Sequence, residues 1–391
     1  RKITVMGVAL LTSFITTFMG SALNLSIPSI DAEFEAGSRA VNWVITAYML
    51  SCTGLAIPFG YFADRGRQKQ ILRLGIAIFT IASILAVFFS RIGLLILFRG
   101  LQGAGAAMIT PFTADGRVDY EALARMIDYV IEGGVDYIVA LGTTAETPTL
   151  YMPERAVIAM FITNQIAGRV PLVMGCGGNS TSEVLDQLRE FDLRGADAIL
   201  SVTPYYNKPS QEGLYQHFRT VSEHSPLPVI LYNIPGRAGV NMTAETTLRL
   251  AREVPNIIGI KEASGNIEQI QQIIDHRPEG FLVLSGDDAL TIELMRRGGD
   301  GVISVAANAF PQRFMQCVHL AEKGDFEAAG REYAALDEAV QALFEEGNPV
   351  GVKCALSVMG KIGPTMRLPL VEGTAALREK FRRLIAEYDL R

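Results

Sequence analysis

Uncharged stretches dominate the first hundred residues of the chain. No charged residue occurs between Lys2 and Asp31 or between Arg39 and Asp64, and two further apolar stretches cover residues 74–90 and 92–109, the last one interrupted by Arg99. A helix needs about 20 consecutive apolar residues to cross a bilayer core. The pattern therefore predicts an all-α transmembrane segment of three or four spans over residues 1–105.

After residue 110 the pattern changes to short apolar, β-branched runs that alternate with longer helical patterns. This alternation is typical of repeated β-α units that build a parallel sheet. We expect a (βα)8 TIM barrel over residues 106–310, followed by a C-terminal helical extension over 311–391. The predicted strands are Tyr137–Leu141, Pro171–Gly175, Ala198–Val202, Val229–Tyr232, Ile257–Ile260, Phe281–Leu284 and Gly301–Val305, with Ala106–Pro111 as the candidate first strand.

Residues 103–109 belong both to the last predicted membrane span and to the region of the first predicted strand. As the end of a membrane span they must be helical, since lipid offers no partner for free backbone amides. As the first strand they must be extended, and without them the barrel keeps two open edges. We expect the barrel to keep the strand, because its closed core buries more apolar surface than one short span containing Arg99.

Charge divides the chain in the same place. Residues 1–108 hold nine Lys or Arg and four Asp or Glu, whereas the remainder holds 26 and 37. An acidic barrel has no basic stripe for phosphates, so nucleic acid is not an expected partner. The four cysteines and four histidines show no metal-ligand or disulfide spacing, which favours reduced thiols in the cytoplasm and no metal. His217 and His224 fall in a polar helical stretch, so we expect both at the surface.

Two motifs of the N-terminal part resemble the major facilitator superfamily of transporters. They are Gly60-Tyr61-Phe62-Ala63-Asp64-Arg65-Gly66-Arg67-Gln68-Lys69 and Arg99-Gly100-Leu101-Gln102-Gly103-Ala104-Gly105-Ala106-Ala107. The resemblance covers the first four helices of such a transporter, so a complete transport path is not expected. Positive residues at the N-terminus and between the second and third spans place both the N-terminus and the barrel in the cytoplasm.

The candidate chemistry lies at the carboxyl ends of the predicted strands, where barrels of this kind carry their active sites. Lys261 follows the apolar run Ile257–Ile260. Burying an ammonium is costly, which favours the free amine that attacks a carbonyl. A surface lysine or a salt bridge to Glu262 is the alternative.

Hydroxyl and guanidinium groups fall on the same rim. Tyr232 is a candidate general acid and base, and Thr143 with Tyr206 could relay its proton to solvent. Thr144 could hold one substrate carboxylate, and Arg237 offers a bidentate fork for a second one. Gly286 shares this rim with Asp287 and Asp288, which we interpret as helix-capping and supporting groups rather than metal ligands.

Together these motifs resemble the dihydrodipicolinate synthase / N-acetylneuraminate lyase family over about 280 residues. The closest likeness is in the segments 200–213 and 232–237. The resemblance implies a lyase of the class I aldolase type that needs no cofactor and condenses pyruvate with L-aspartate 4-semialdehyde in the diaminopimelate/lysine pathway.

The resemblance also implies roles for individual residues. Pyruvate would form an imine with Lys261, with Thr144, Ile303 and Gly286 at the substrate. Tyr232 would transfer protons, and Tyr206 would reach across the interface of a homodimer or homotetramer.

The chain departs from the family pattern at a few positions. Ala145 replaces the usual glycine after the two threonines. Asn179, Glu183 and Tyr205 match an allosteric lysine pocket, but two frequent histidines of that pocket are Met152 and Arg155, so lysine feedback is expected to be weak or absent.

Three alternatives stay open. The barrel could be another pyruvate-dependent aldolase such as an N-acetylneuraminate lyase, the chain could be a non-enzymatic membrane transporter fragment, or it could be a chimera of two parts that do not work together.

Overall fold

The computed structural model of the protein describes residues 101–390, and these form a closed barrel of eight parallel strands. Each strand pairs with the next along the chain, and the last pairs with the first. The strands are β1 Gly103–Ala107, β2 Tyr137–Ala140, β3 Leu172–Gly175, β4 Ala198–Val202, β5 Val229–Asn233, β6 Ile257–Glu262, β7 Leu282–Ser285 and β8 Gly301–Ser304. The predicted TIM barrel is confirmed.

Helices follow the strands around the outside of the barrel. They are α1 Tyr120–Glu132, α2 Met152–Ile166, α3 Thr181–Glu190, α4 Gln211–His224, a short α5 Pro235–Ala238, α6 Ala244–Glu253, α7 Ile267–His276, α8 Thr291–Arg296 and a short α9 Ala306–Ala309. Two 3-10 turns, Thr143–Ala145 and Thr147–Thr149, follow β2. The C-terminal extension consists of α10 Pro311–Glu322, α11 Phe326–Ala334, α12 Asp337–Glu345, α13 Val350–Val358 and α14 Ala375–Glu387.

The first strand, β1, closes the barrel. Gly105 pairs with Tyr137 of β2 and with Ile303 of β8. A Cβ atom at Gly105 would lie 2.1 Å from the fully buried Tyr137 ring, so only glycine leaves room for that ring. The contested segment 103–109 thus contains a strand, Gly103–Ala107, which begins three residues and ends four residues before the predicted first strand Ala106–Pro111.

Two apolar clusters stabilise the fold. The inner one fills the barrel and includes Tyr137, Val139, Ile230, Tyr232 and Ile303. The outer one lies between the strands and the helices, as the alternation of side chains along each strand requires. The polar pattern of α4 misled the prediction for His217, which is buried, because it lies on the apolar helix face with Leu214, Phe218 and Val221. His224 is exposed, as expected.

The predicted transmembrane segment, residues 1–105, falls almost wholly outside the described residues. Within residues 101–390, no helix has the length and apolar content that a membrane crossing requires.

Candidate active site

Lys261 lies inside the barrel on β6, with 5% of its surface exposed. Its neighbour Ile260 faces the outer apolar cluster, so alternation turns Lys261 toward the interior. The Glu262 carboxylate accepts hydrogen bonds from Ser264 N, Asn233 Nδ2 and Gln269 Nε2. These three donors, and not Lys261, satisfy the carboxylate. The alternative of a surface lysine or a Lys261–Glu262 salt bridge is therefore wrong.

Tyr232 lies directly beside this lysine. The two residues are register partners on the adjacent strands β5 and β6, and the Lys261 ammonium nitrogen lies 4.4 Å from the centroid of the Tyr232 ring. Tyr232 is 5% exposed and belongs to the inner cluster. A phenol held this close can exchange protons with a group that reacts at the lysine nitrogen.

A cavity of about 590 Å³ opens above Lys261. Its walls carry most of the predicted substrate groups, which come from the ends of different strands: Thr143, Thr144, Tyr232, Arg237 and Gly286. Thr144 is buried in the 3-10 turn after β2, and Arg237 lies exposed in α5. The structure therefore brings a nucleophile, a phenol, a buried hydroxyl and a guanidinium to one space.

Gly286 is required beside the lysine for a steric reason. A Cβ atom at this position would lie 2.6 Å from Ala263 Cβ and 3.0 Å from Lys261 Cε. Real Cβ contacts are essentially never shorter than 3.0 Å, so a side chain here would force a shift against Ala263 and would also press on the end of Lys261.

Asn348, in the C-terminal extension, escaped the sequence analysis. Its side-chain Nδ2 donates a hydrogen bond to Thr144 Oγ1 at 3.1 Å, and its main-chain oxygen accepts one from Arg237 Nη2 at 2.9 Å. It lies within Gly347-Asn348-Pro349, a segment whose composition indicates only a turn. Nothing in the local sequence could have pointed to it, because Thr144 is 204 positions away.

A second cavity, of about 360 Å³, adjoins the first and shares Thr143, Tyr232, Arg237 and Asn348 with it. Arg155 and Tyr205 also line it. Burial lowers the pKa of Arg155, and the nearby Tyr205 and Glu183 oppose that shift. Of the residues predicted for a lysine pocket, Tyr205 is on the wall, Glu183 is exposed on α3, and the main-chain oxygen of Asn179 accepts from Asn207 Nδ2 at 2.7 Å.

Tyr206 and Ile303 are not on the walls of these cavities. Tyr206 is 85% exposed, so the structure does not bring it to the walls with Thr143 and Tyr232. Ile303 is buried in the inner cluster on β8.

Asp288 supports the chain just after β8. Its Oδ2 accepts hydrogen bonds from the amides of Val305 and Ala306 at 3.1 and 2.8 Å. Burial raises the pKa of this carboxyl to about 6, against the opposing effect of Ser304 and the two amides. Among residues 101–390, no group of three or more His, Cys, Asp or Glu is arranged to hold a metal ion.

Comparison with known proteins divides the chain at the same place as the sequence pattern. The Dihydrodipicolinate synthetase family matches residues 100–388, and the Major Facilitator Superfamily matches residues 9–114. The two matches overlap over residues 100–114, which include β1.

Relatives of known identity support the first of these matches. The 4-hydroxy-tetrahydrodipicolinate synthase of Parabacteroides distasonis is 50% identical over 291 residues, covering 74% of this chain and 98% of the relative. A dihydrodipicolinate synthase from Acinetobacter baumannii, solved in complex with pyruvate, is 40% identical with a TM-score of 0.72 and covers 74% of this chain and 100% of that one. One from Cyanidioschyzon merolae, solved with lysine bound, is 38% identical with a TM-score of 0.72 and covers 75% and 99%.

Proposed function

The chain belongs to the dihydrodipicolinate synthetase family, and we propose that its barrel acts as a 4-hydroxy-tetrahydrodipicolinate synthase, a lyase that condenses pyruvate with L-aspartate 4-semialdehyde. The observation that carries the proposal is the buried Lys261 beside Tyr232, at the base of a cavity whose walls carry Thr144 and Arg237. A lysine in this setting suits a reaction through a covalent imine.

The first step joins pyruvate to Lys261. The free amine of Lys261 attacks the ketone carbon of pyruvate, the carbonyl oxygen takes up protons and leaves as water, and a carbon–nitrogen double bond remains. Tyr232 is placed to give and take back the protons that this exchange requires. Loss of a proton from the pyruvate methyl group then gives an enamine.

The second step makes the carbon–carbon bond. The enamine carbon attacks the aldehyde carbon of the semialdehyde, whose oxygen becomes a hydroxyl by taking a proton. The amino group of the semialdehyde then adds to the imine carbon, which closes the ring and releases Lys261. Because the lysine itself accepts the electrons, no cofactor is required.

We assign the two substrate carboxylates to two different groups on the walls of the cavity. Thr144, with the amides of its turn, suits the pyruvate carboxylate at the lysine, with Gly286 beside the lysine and Ile303 near the end of β8. Arg237 suits the carboxylate of the semialdehyde, since a guanidinium forms paired hydrogen bonds to a carboxylate. This second group distinguishes the proposal from an N-acetylneuraminate lyase, which would keep Lys261 and Tyr232 but have less need of Arg237.

The proposed proton relay requires more than one copy of the chain. Thr143 lines the cavity, but Tyr206 of the same chain is 85% exposed. We propose that the barrel works as a homodimer or homotetramer in which Tyr206 of one copy completes the relay of the other. The cysteines of the described region, Cys176, Cys317 and Cys354, are free and buried, which supports a reducing, cytoplasmic setting.

Borohydride trapping tests the proposal. Reduction of the protein in the presence of pyruvate should add a stable adduct to Lys261, located by peptide mass spectrometry, and Lys261→Met should abolish it. No adduct on a folded sample, or an adduct on another lysine, would overturn the mechanism.

A comparison of the two substrates tests the second part of the proposal, the binding of the semialdehyde by Arg237. Arg237→Ala should raise the KM for the semialdehyde at least tenfold and leave pyruvate trapping nearly intact. Equal losses for both substrates would make Arg237 structural. Faster turnover with N-acetylmannosamine than with the semialdehyde would identify the barrel as an N-acetylneuraminate lyase instead.

A further inference from the structure

Asn348 makes contact with both of the groups to which the two substrate carboxylates are assigned. The Asn348 side chain donates to Thr144 Oγ1 at 3.1 Å, and the Asn348 main-chain oxygen accepts from Arg237 at 2.9 Å. The residue belongs to the C-terminal extension, between α12 and α13, and not to the barrel strands. One residue of the extension therefore touches both ends of the proposed substrate site.

The direction of the first hydrogen bond has a chemical consequence. A threonine hydroxyl has one proton to donate and two lone pairs that accept. Because the Asn348 amide fills one lone pair of Thr144, the hydroxyl proton is not used in that contact. A substrate carboxylate can only accept hydrogen bonds, so it requires this proton.

The oxygen of the Asn348 side-chain amide is energetically unfavourable where it lies. Asn348 Oδ1 is buried and has no hydrogen-bond partner among residues 101–390. A buried acceptor without a partner destabilises the fold, and such groups call for a specific reason. The need for an N–H directed at Thr144 provides one.

We infer that Asn348 is a positioning residue for the first substrate: its amide orients the Thr144 hydroxyl so that the proton faces the carboxylate of pyruvate. The inference rests on the proposed function, and it extends that function to the helical extension. The role assigned to Asn348 is indirect, because its effect on pyruvate passes through Thr144.

A double-mutant cycle tests this path. The concentration of pyruvate that gives half-maximal borohydride trapping should rise about tenfold in Asn348→Ala and by a similar factor in Thr144→Val. In the double variant it should rise no more than about twofold beyond Thr144→Val, since the hydroxyl on which Asn348 acts is already gone. Independent, multiplying effects would overturn the inference, and so would wild-type binding in Asn348→Ala.

Two further variants separate positioning from folding. Asn348→Asp keeps the shape but cannot donate, so it should bind pyruvate at least as weakly as Asn348→Ala, and wild-type binding would contradict the role. Asn256→Ala is the matched control: Asn256 Nδ2 bridges Ser222 O and Leu227 O just before β6, at the opposite end of the barrel from the site. It should leave pyruvate trapping unchanged.

The KM for the semialdehyde gives a second readout. It should change by less than about twofold in Asn348→Ala, because the main-chain oxygen that holds Arg237 is retained. A tenfold rise in the KM of both substrates would indicate a general collapse of the segment and overturn the specific role. Failure of the wild-type protein to trap pyruvate at all would instead refute the proposed function.

Discussion

The Lys353 ammonium lies 2.6 Å from a Glu146 carboxylate oxygen, and the two side chains are 1% and 0% exposed. Glu146 directly follows the 3-10 turn that carries Thr143 and Thr144, and Lys353 lies on α13 of the C-terminal extension. Burial lowers the pKa of Lys353, while the Glu146 carboxylate opposes the shift. The second Glu146 oxygen accepts from the amide of Arg367 at 3.2 Å. The extension is thus joined to the catalytic turn by a fully buried ion pair.

Removing one partner of this pair should be strongly destabilising. Lys353→Met leaves the Glu146 charge buried without compensation, so the free energy of unfolding in urea should fall by about 3–5 kcal/mol. The double variant Lys353→Met with Glu146→Leu should recover part of this loss, because both charges are gone. As a control, Arg219→Met breaks the half-exposed pair with Glu223 and should change stability by less than about 1 kcal/mol. Equal effects at the two sites would contradict the buried role.

Sequence reasoning found those parts of the site that belong to local patterns. The strands β2 to β8 follow short apolar runs, and Lys261, Tyr232 and Arg237 come at or near their ends, where a parallel barrel gathers its functional groups. Both ends of β4 match the prediction, and the other six strands differ from it by one or two residues at one end or both, since an apolar run does not mark where the ladder of hydrogen bonds stops. Lys261, predicted after its strand, is a strand residue.

Residues that act through distant contacts could not be predicted in this way. Lys353 is separated from Glu146 by 207 positions, and Asn348 from Thr144 by 204. In the sequence Lys353 stands in an apolar helix with no sign of its partner. The segment Gly103–Ala107 consists only of glycine and alanine, so its periodicity cannot separate strand from helix, and it is the fit of Tyr137 against Gly105 that identifies the strand.

A methyl group at Gly286 should disable the lysine. In Gly286→Ala the new Cβ would meet Ala263 Cβ at 2.6 Å, which forces a shift, and Lys261 Cε at 3.0 Å, which presses the end of Lys261 aside. We expect kcat/KM to fall at least tenfold while the circular dichroism spectrum stays native. Gly330→Ala is the matched control on α11, where an added Cβ meets nothing within 4 Å, and it should raise stability by up to about 1 kcal/mol without changing activity. Full activity in Gly286→Ala would refute the steric argument.

Inhibition by L-lysine should be weak or absent. Arg155 lines the second cavity together with Tyr205 and is close enough to Tyr205 and Glu183 to interact with both. Its positive charge repels the ammonium groups of lysine and competes for Glu183. Titration of lysine against the initial rate measures this directly, and the change of Met152 and Arg155 together to histidine should increase the inhibition. Strong inhibition of the wild-type protein at lysine concentrations below about 1 mM, which corresponds to a binding free energy of about −4 kcal/mol, would contradict this expectation. It would show that Asn179, Glu183 and Tyr205 suffice to bind lysine.

The barrel should function without the N-terminal hundred residues. Its first strand begins at Gly103 and pairs with β2 and β8, so a chain that starts at Leu101 keeps the register of the closed barrel. We expect such a chain to be soluble and to trap pyruvate on Lys261 as the full chain does. A chain that starts at Tyr120 is the matched control, since loss of β1 opens two strand edges and should prevent folding. An insoluble or inactive product from the longer of the two would show that the first hundred residues are part of the enzyme's fold.

Asp288 should make the stability of the barrel depend on pH in a window that an ordinary aspartate does not affect. Burial raises its pKa to about 6 from an ordinary value of 3.8. Below pH 4 the carboxyl is protonated in both the folded and the unfolded chain, whereas between about pH 4 and 6 the folded chain keeps a proton that the unfolded chain loses. Folding therefore weakens as the pH rises through this window, by up to about 3 kcal/mol in total, and stays weakened above it.

Asn cannot ionise, so Asp288→Asn separates this effect from all others. The variant's free energy of unfolding, relative to the wild-type protein, should rise as the pH increases from 4 to 6 and then remain constant. Asp192→Asn is the control, because the pKa of Asp192 is shifted in the opposite direction. Arg194 holds the pKa of the Asp192 carboxyl at about 2, so this carboxyl titrates below the range of pH 4 to 6. Urea denaturation of the three proteins at pH 4, 5, 6 and 7.5, which span the two pKa values, measures both differences. A flat difference for Asp288→Asn across these values would mean that the Val305 and Ala306 amides stabilise the buried carboxylate as well as water does.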